Sequence, residues 1–216
     1  MRNSFDRQLE ILDEDLTHMG ELCENALDLA TKAMEEGSAS KARSVIEMDE
    51  EIDHMEKEIE SLCLKLLLQQ QPVARDLRRI SAALKMITDM ERIGDQTADI
   101  AEIIISAKLQ EQREVQDVVK MSEAAARMVR NSVKAYVKRD LELAKQVMQS
   151  DDVVDDLFDR IRDELVTFIA ENGGRDGAEV IDLLMISKYL ERIGDHATNI
   201  AEWVEFSITG VHVNGE

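Results

Sequence analysis

One five-residue sequence occurs twice in this chain, and its two copies lie 100 positions apart. Residues 91–95 read Glu-Arg-Ile-Gly-Asp, residues 191–195 repeat them, and Ile-Ala-Glu follows each copy five residues later. Earlier positions match at an offset of 102, including Asp49 with Asp151 and Asp53 with Asp155. A register kept over about eighty residues predicts a duplicated structural unit.

Helix breakers are rare and occur in clusters. With one proline, nine glycines and 3% aromatic residues, the chain has few of the turn residues and β-formers that sheets require. Breakers divide it into six long helical segments, at Gly37-Ser38, Gln71-Pro72, Gln110 to Glu114, Lys138 to Asp140 and Asn172 to Gly177. A stripe at helical spacing predicts a buried face on the third segment, and it contains Leu77, Ile80, Leu84 and Ile87.

These observations predict an all-α fold. We expect two tandem three-helix bundles of long antiparallel helices, either stacked or joined end to end. The first bundle would comprise residues 1–109 and the second residues 110–216.

Charge limits the possible partners. The chain has 46 acidic and 26 basic side chains, a formal net charge of −20, which would repel nucleic acid. Neither a signal peptide nor an apolar run of about 20 residues is present, so we expect a cytoplasmic protein. Cys23 and Cys63 form no CxxC motif and are predicted to be reduced core residues.

Acidic residues recur at a spacing of four, which places both members of a pair on one helix face. The pairs are Asp49/Asp53, Glu91/Asp95, Asp151/Asp155 and Glu191/Asp195. Glu102 and Glu202 extend the line about three turns beyond Glu91 and Glu191. Carboxylate oxygens favour hard cations such as Mg²⁺, Ca²⁺, Mn²⁺ or Fe³⁺, so the pairs predict open, multinuclear metal sites.

Two other interpretations of the acidic residues remain open. An ordinary solvent-exposed helix face would also carry such pairs, and Arg92 or Arg192 could neutralise them through salt bridges. His196 could add a nitrogen ligand, but its counterpart is Gln96, so we assign it to the surface.

No motif for catalysis is evident, and we expect no enzyme activity. Glu51 to His54 fits the spacing of a di-iron ligand motif, but residues 153–156 lack the second motif that such bundles need. A hydrolase with paired carboxylates would also need a nucleophile or base, and none accompanies the acids.

Across essentially its whole length, the chain resembles the PhoU family. The resemblance rests on Phe5-Asp6 with Leu9, Met19-Gly20, residues 71–78 and both copies of Glu-Arg-Ile-Gly-Asp with the residues that follow. It implies two three-helix bundles, often in a homodimer. In some members metal ions bind the acidic motifs, which fall here on the four pairs above; Mg, Mn, Fe or Zn are candidates.

The resemblance also implies a function. PhoU-like proteins act between the ATPase subunit of the phosphate ABC transporter and a phosphate-sensing histidine kinase, and they keep phosphate-starvation genes off when phosphate is plentiful. They modulate phosphate uptake and reach the membrane only through partners. A different interpretation of the same acidic residues is a metal-buffering protein.

The two copies differ at positions near the acidic pairs. Asp99, a further candidate metal ligand, becomes Asn199, while Glu56 and Glu60 become Phe158 and Arg162. We therefore predict that the first site binds cations more strongly than the second.

Overall fold

Six helices make up the computed structural model, which describes residues 2–70, 72–107, 113–173 and 177–211. The helices are α1 (Arg2–Glu36), α2 (Ala39–Gln70), α3 (Ala74–Ser106), α4 (Arg113–Lys138), α5 (Leu141–Glu171) and α6 (Gly177–Thr209). No strand occurs in the described ranges. The all-α prediction with two tandem three-helix units is confirmed.

Several helix ends coincide with the predicted breakers. Gly37 adopts a φ of +60° directly after α1, a conformation that glycine takes without strain. Asp140 caps α5, because its side chain accepts a hydrogen bond of 3.0 Å from the Leu143 amide. The predicted boundary between residues 109 and 110 lies outside the described residues, as do Gln71 and residues 174–176.

The two bundles lie side by side. Helices α1, α2 and α3 contact one another, and so do α4, α5 and α6. Between the bundles, α3 contacts α6 and α1 contacts α4, which excludes the end-joined arrangement. Both inter-bundle pairs are antiparallel. Thr31 meets Ser122 while Glu24, earlier in the chain, meets Arg130. Asp89 meets His196 while Asp99, later in the chain, lies near Tyr189.

Contacts at the α1–α4 seam are close and specific. The Thr31 and Ser122 hydroxyl oxygens lie 2.7 Å apart. At the equivalent contact, a β-carbon on Gly20 would lie 2.9 Å from Val133, so glycine permits this approach of the helices. Residue 31 of the first repeat corresponds to residue 133 of the second, and residue 20 corresponds to residue 122. The two contacts therefore pair the same two repeat positions, with the contributions of the repeats exchanged. The seam therefore has a near two-fold relation.

The buried side chains form one core along all six helices. Cys23 and Cys63 are buried and unbridged, as the sequence predicted. The predicted stripe on α3 is only partly correct, because Ile80 and Ile87 are buried whereas Leu77 is 45% exposed. Leu77 lies in the first turn of α3, where the stripe continues past the end of the core. None of the described helices has an apolar stretch that could cross a membrane.

Candidate metal centres

The first acidic cluster forms where α2 packs against α3. Carboxylate oxygens of Asp49, Asp53 and Asp95 lie within 4.8 Å of one another. All three side chains are half-buried. The structure thus brings together two acidic pairs that are about forty residues apart in the sequence.

Gly94 makes this approach possible. A β-carbon on Gly94 would lie 2.6 Å from Asp49 Oδ1 and 3.2 Å from the Ile52 side chain. A side chain at position 94 would displace the Asp49 carboxylate and crowd Ile52. The glycine of the repeated Glu-Arg-Ile-Gly-Asp sequence is therefore explained by close helix packing over the Asp49 carboxylate.

Asp49 has the features of a cation ligand. Its Oδ1 atom is buried and has no hydrogen-bond partner. Burial raises the pKa of Asp49 to about 6, and the nearby carboxylates, chiefly those of Asp95 and Asp53, add to this rise. A buried acceptor without a donor is costly, and a bound cation would relieve that cost. The donor set is entirely oxygen, which fits a hard cation.

Arg92 neutralises part of the first cluster. Its guanidinium lies 3.0 Å from Asp95 Oδ2 and 3.4 Å from Glu91 Oε2. The sequence analysis left this salt-bridge role open, and the structure bears it out. Because Arg92 contacts the outer carboxylates, Asp49 keeps its unpartnered oxygen despite this ion pair.

Glu56 belongs to the same electrostatic environment. Burial raises the pKa of Glu56, and the charges of Glu60 and Asp53 raise it further. The sequence analysis noted Glu56 and Glu60 as differences between the copies without proposing them as ligands. Glu56 and Glu60 follow Asp49 on α2 by seven and eleven residues, and this spacing, which places them on the same helix face, could have identified them.

The second cluster is similar in plan but looser. A β-carbon on Gly194 would lie 3.3 Å from Asp151 Oδ1, compared with 2.6 Å at Gly94. Asp151 Oδ1 and the hydroxyl oxygen of Thr198 are both buried. Burial raises the pKa of Asp151 to about 6, with a contribution from Asp155, and interaction with Thr198 partly offsets this rise. In the described ranges, three carboxylates approach to within 4.8 Å only in the first cluster.

Lys188 supplies a positive charge to the second cluster. Its ammonium group pairs with Glu191 and lies 5.3 Å from the centre of the Phe158 ring. At the equivalent position the first repeat has Thr88. Lys188 was not among the predicted site residues, although the change from threonine to lysine three residues before Glu191 is visible in the sequence.

The other predicted ligands divide between the clusters and the α3–α6 seam. Asp99 contributes to the raised pKa of Asp49. Burial raises the pKa of Tyr189 on α6, and Asp99 and Glu102 raise it further. Glu102 is exposed beside this seam instead of joining the Asp49 group. Glu202 is half-buried on α6, about 10 Å along the helix from Asp195.

The predicted surface position of His196 differs from its position in the structure. Its side chain is 18% exposed, and its Nδ1 atom lies 2.8 Å from Asp89 Oδ1 on α3. Asn199 donates a hydrogen bond of 3.2 Å to the same oxygen. The assignment to the surface was wrong because the partner lies 107 residues away in the sequence. His196 joins the two bundles.

Comparisons with known proteins agree with the resemblance. Residues 16–104 and residues 118–204 each match the PhoU domain. The chain is 37% identical to the phosphate-specific transport system accessory protein PhoU homolog of Clostridium acetobutylicum, and the match covers 99% of this chain and 98% of that protein. Identity to the homolog of Pseudomonas aeruginosa is 34%, with 97% and 87% covered.

Solved structures share the fold. The crystal structure of PhoU from Pseudomonas aeruginosa superposes with a TM-score of 0.91 at 33% identity, over 96% of this chain and all of that one (100%). The phosphate transport system regulatory protein PhoU from Streptococcus pneumoniae gives a TM-score of 0.87 at 24% identity, over 98% and 100%. The second likeness concerns the fold alone.

Proposed function

The chain belongs to the PhoU family, and on that premise we propose that it is a non-enzymatic regulator of phosphate uptake and of the phosphate-starvation response. Its relatives are accessory proteins of phosphate-specific transport systems, and we assign the same accessory role to this chain. In the finer part of the proposal, it is an adaptor between the transporter's ATPase subunit and a phosphate-sensing histidine kinase. It represses starvation genes when phosphate is plentiful.

One observation carries this proposal. Both halves of the chain match the PhoU domain, over residues 16–104 and 118–204, and relatives align over nearly its whole length. An adaptor needs surfaces more than a catalytic cleft, and long helices with a net charge of −20 provide acidic surfaces. Complementary charge on a partner would set the rate and orientation of docking.

We further propose that the acidic clusters bind metal ions. Asp49, Asp53 and Asp95 would hold a cation in the first cluster, with Asp151, Asp155 and Asp195 at the weaker second site. A bound Mg²⁺, Mn²⁺ or iron ion supplies positive charge at the unpartnered Asp49 oxygen. Zn²⁺ fits less well, because its structural sites use nitrogen and sulfur ligands. Neutralising the cluster would tighten the packing of α2 on α3.

The regulatory role can be tested in a deletion strain. Alkaline phosphatase, or another starvation reporter, is measured in phosphate-rich medium with and without the gene returned. We expect high activity in the deletion strain and suppression by the returned gene. Unchanged activity in the deletion strain would contradict repression by this protein.

The role of the clusters needs a separate test. A variant in which Glu91, Asp95, Glu191 and Asp195 are all changed to Ala is first checked for folding by circular dichroism. It is then tested in the same reporter assay, where we expect loss of repression. Normal repression by the folded variant would remove any signalling role for these acidic residues.

Metal buffering is the second candidate, favoured by the 4.8 Å grouping in the first cluster. Calorimetric titration with Mg²⁺, Mn²⁺ and Fe³⁺ separates it from pure signalling. Saturable binding with a normal reporter response in the deletion strain would favour buffering. Weak heats without saturation for all three ions would exclude it. Both roles can coexist if metal binding is linked to partner binding.

A further inference from the structure

The second half of α4 has an unusual charge for this chain. Residues 124–139 contain Arg127, Arg130, Lys134, Lys138 and Arg139 but no acidic residue, although the whole chain carries −20. All five basic side chains are exposed. Arg130, Lys134 and Lys138 of this stretch lie at the α1–α4 seam, whereas Arg127 lies beside α5.

An open groove runs along this stretch. It lies between α1 and α4 and has a volume of about 310 Å³. Gly20, Val133 and Val137 form a mainly apolar floor, with Lys134 and Lys138 at the α4 rim. On the opposite rim, α1 contributes Glu21 and Glu24.

The groove exists because the two ends of the seam differ. At Thr31 and Ser122 the hydroxyl groups touch, and the space left there is only about 10 Å³. At the equivalent contact, Val133 packs directly against Gly20, and the groove opens beside this pair. The near two-fold relation therefore holds for the paired positions but not for their side chains, and the seam remains open at the Gly20 end.

The rims of the groove carry opposite charges. Glu24 is already paired with Arg130. Within the described part of the chain, Lys134 and Lys138 form no ion pair, and the exposed Glu21 forms none either. A ligand with an acidic edge would complement the lysine rim, whereas Glu21 would repel a polyanion such as nucleic acid.

We propose that this groove binds an amphipathic helix of a partner protein, one that has Asp or Glu beside an apolar stripe. The lining extends from Thr17 to Glu24 on α1 and from Arg130 to Lys138 on α4, about 10 to 12 Å in each case. That length accommodates two turns of a helix, which presents apolar residues at i, i+4 and i+7. The aliphatic stems of the lysines extend the apolar floor while their ammonium groups meet the acids.

The test selects helical peptides of 14 residues from a displayed library against the intact protein. Binding of the enriched peptides is then measured by fluorescence anisotropy at two salt concentrations. The test variant is K134E/K138E, and its control is K145E/R160E, which makes the same charge change on exposed residues of α5. Because all four positions are exposed, both variants are expected to fold, which circular dichroism checks.

We expect enriched peptides with an apolar stripe flanked by acids, at least tenfold weaker binding to K134E/K138E, and binding within twofold of wild type for K145E/R160E. Equal weakening by both variants would overturn the proposal, because it would indicate general electrostatic attraction. Enriched peptides without acids would also overturn it. So would dimerisation that K134E/K138E abolishes, or binding of anionic vesicles that depends on these lysines. None of these outcomes depends on the phosphate reporter.

Discussion

Gly94 of α3 lies directly beneath the Asp49 carboxylate of α2, so close that a β-carbon at position 94 would be 2.6 Å from Asp49 Oδ1. The corresponding distance from Gly194 to Asp151 Oδ1 is 3.3 Å. The glycine of the repeated sequence therefore lies closer to its neighbouring aspartate in the first cluster than in the second.

This difference predicts unequal effects of two matched substitutions. Gly94→Ala should displace the Asp49 carboxylate and cost about 1 to 3 kcal/mol of folding stability, because the added methyl group overpacks the contact with Asp49 and Ile52. Gly194→Ala should cost less than about 1 kcal/mol, since its neighbours need to yield by only a few tenths of an ångström. Urea unfolding of both variants measures the costs, and equal costs would contradict the structure.

Asp49 should make the metal-free protein less stable as the pH rises. Its pKa is about 6 in the folded chain, against about 3.9 when unfolded. The folded chain therefore holds the proton more tightly, and stability is lost as the pH rises from about 4 to about 6. Asp49→Asn should gain about 1 kcal/mol over wild type at pH 7.5, after allowance for solvent screening.

Unfolding curves of wild type and Asp49→Asn in chelator, at pH 4 and pH 7.5, measure this gain. It should disappear at pH 4, where the wild-type carboxyl is already protonated. Asp156→Asn, at an exposed position on α5, is the control and should show no such pH-dependent gain.

Lys188 and Thr88 offer a reciprocal test of the two clusters. Lys188→Thr removes the positive charge beside Glu191 and should strengthen cation binding at the second cluster severalfold. Thr88→Lys adds that charge near Glu91 and should weaken binding at the first cluster. Calorimetry with Mn²⁺ measures both effects. Shifts in the same direction for both variants would be inconsistent with internal neutralisation by lysine.

The contact between Asp89 and His196 should stabilise the packing of the two bundles. Asp89→Ala removes the acceptor for His196 and Asn199 and should cost about 1 to 3 kcal/mol. Thermal unfolding measures this loss, with Glu35→Ala as an exposed control. A loss no greater than that of the control would show that the contact contributes nothing to stability.

Both cysteines should resist thiol reagents in the folded protein. Burial raises the pKa of Cys23 and that of Cys63 to about 12 each, so the reactive thiolate is scarce at pH 8. A colorimetric thiol assay should detect no fast-reacting cysteine before denaturant is added and two afterwards. Fast labelling of either cysteine in the native protein would contradict its burial.

Much of the architecture was predictable from local sequence signals. The breaker clusters predicted six helices, and the spacing of four placed Asp49 near Asp53, because both signals depend on residues a few positions apart. The contact of His196 with Asp89 was not predictable, since it joins residues 107 positions apart. Lys188 could have been found from the sequence, because it pairs with Glu191 three residues later on the same helix, whereas its contact with the Phe158 ring joins two helices.

The near two-fold seam between the bundles affects how the amino-acid sequences of the two halves can diverge. Identical subunits in a symmetric dimer must accept every substitution twice. Here both sides of a similar interface belong to one chain, so each side can change alone. The two halves differ in this way, with Asp99 in the first and Asn199 in the second, and with Thr88 in the first and Lys188 in the second. Joining the halves has allowed one protein to keep two sites of unequal charge.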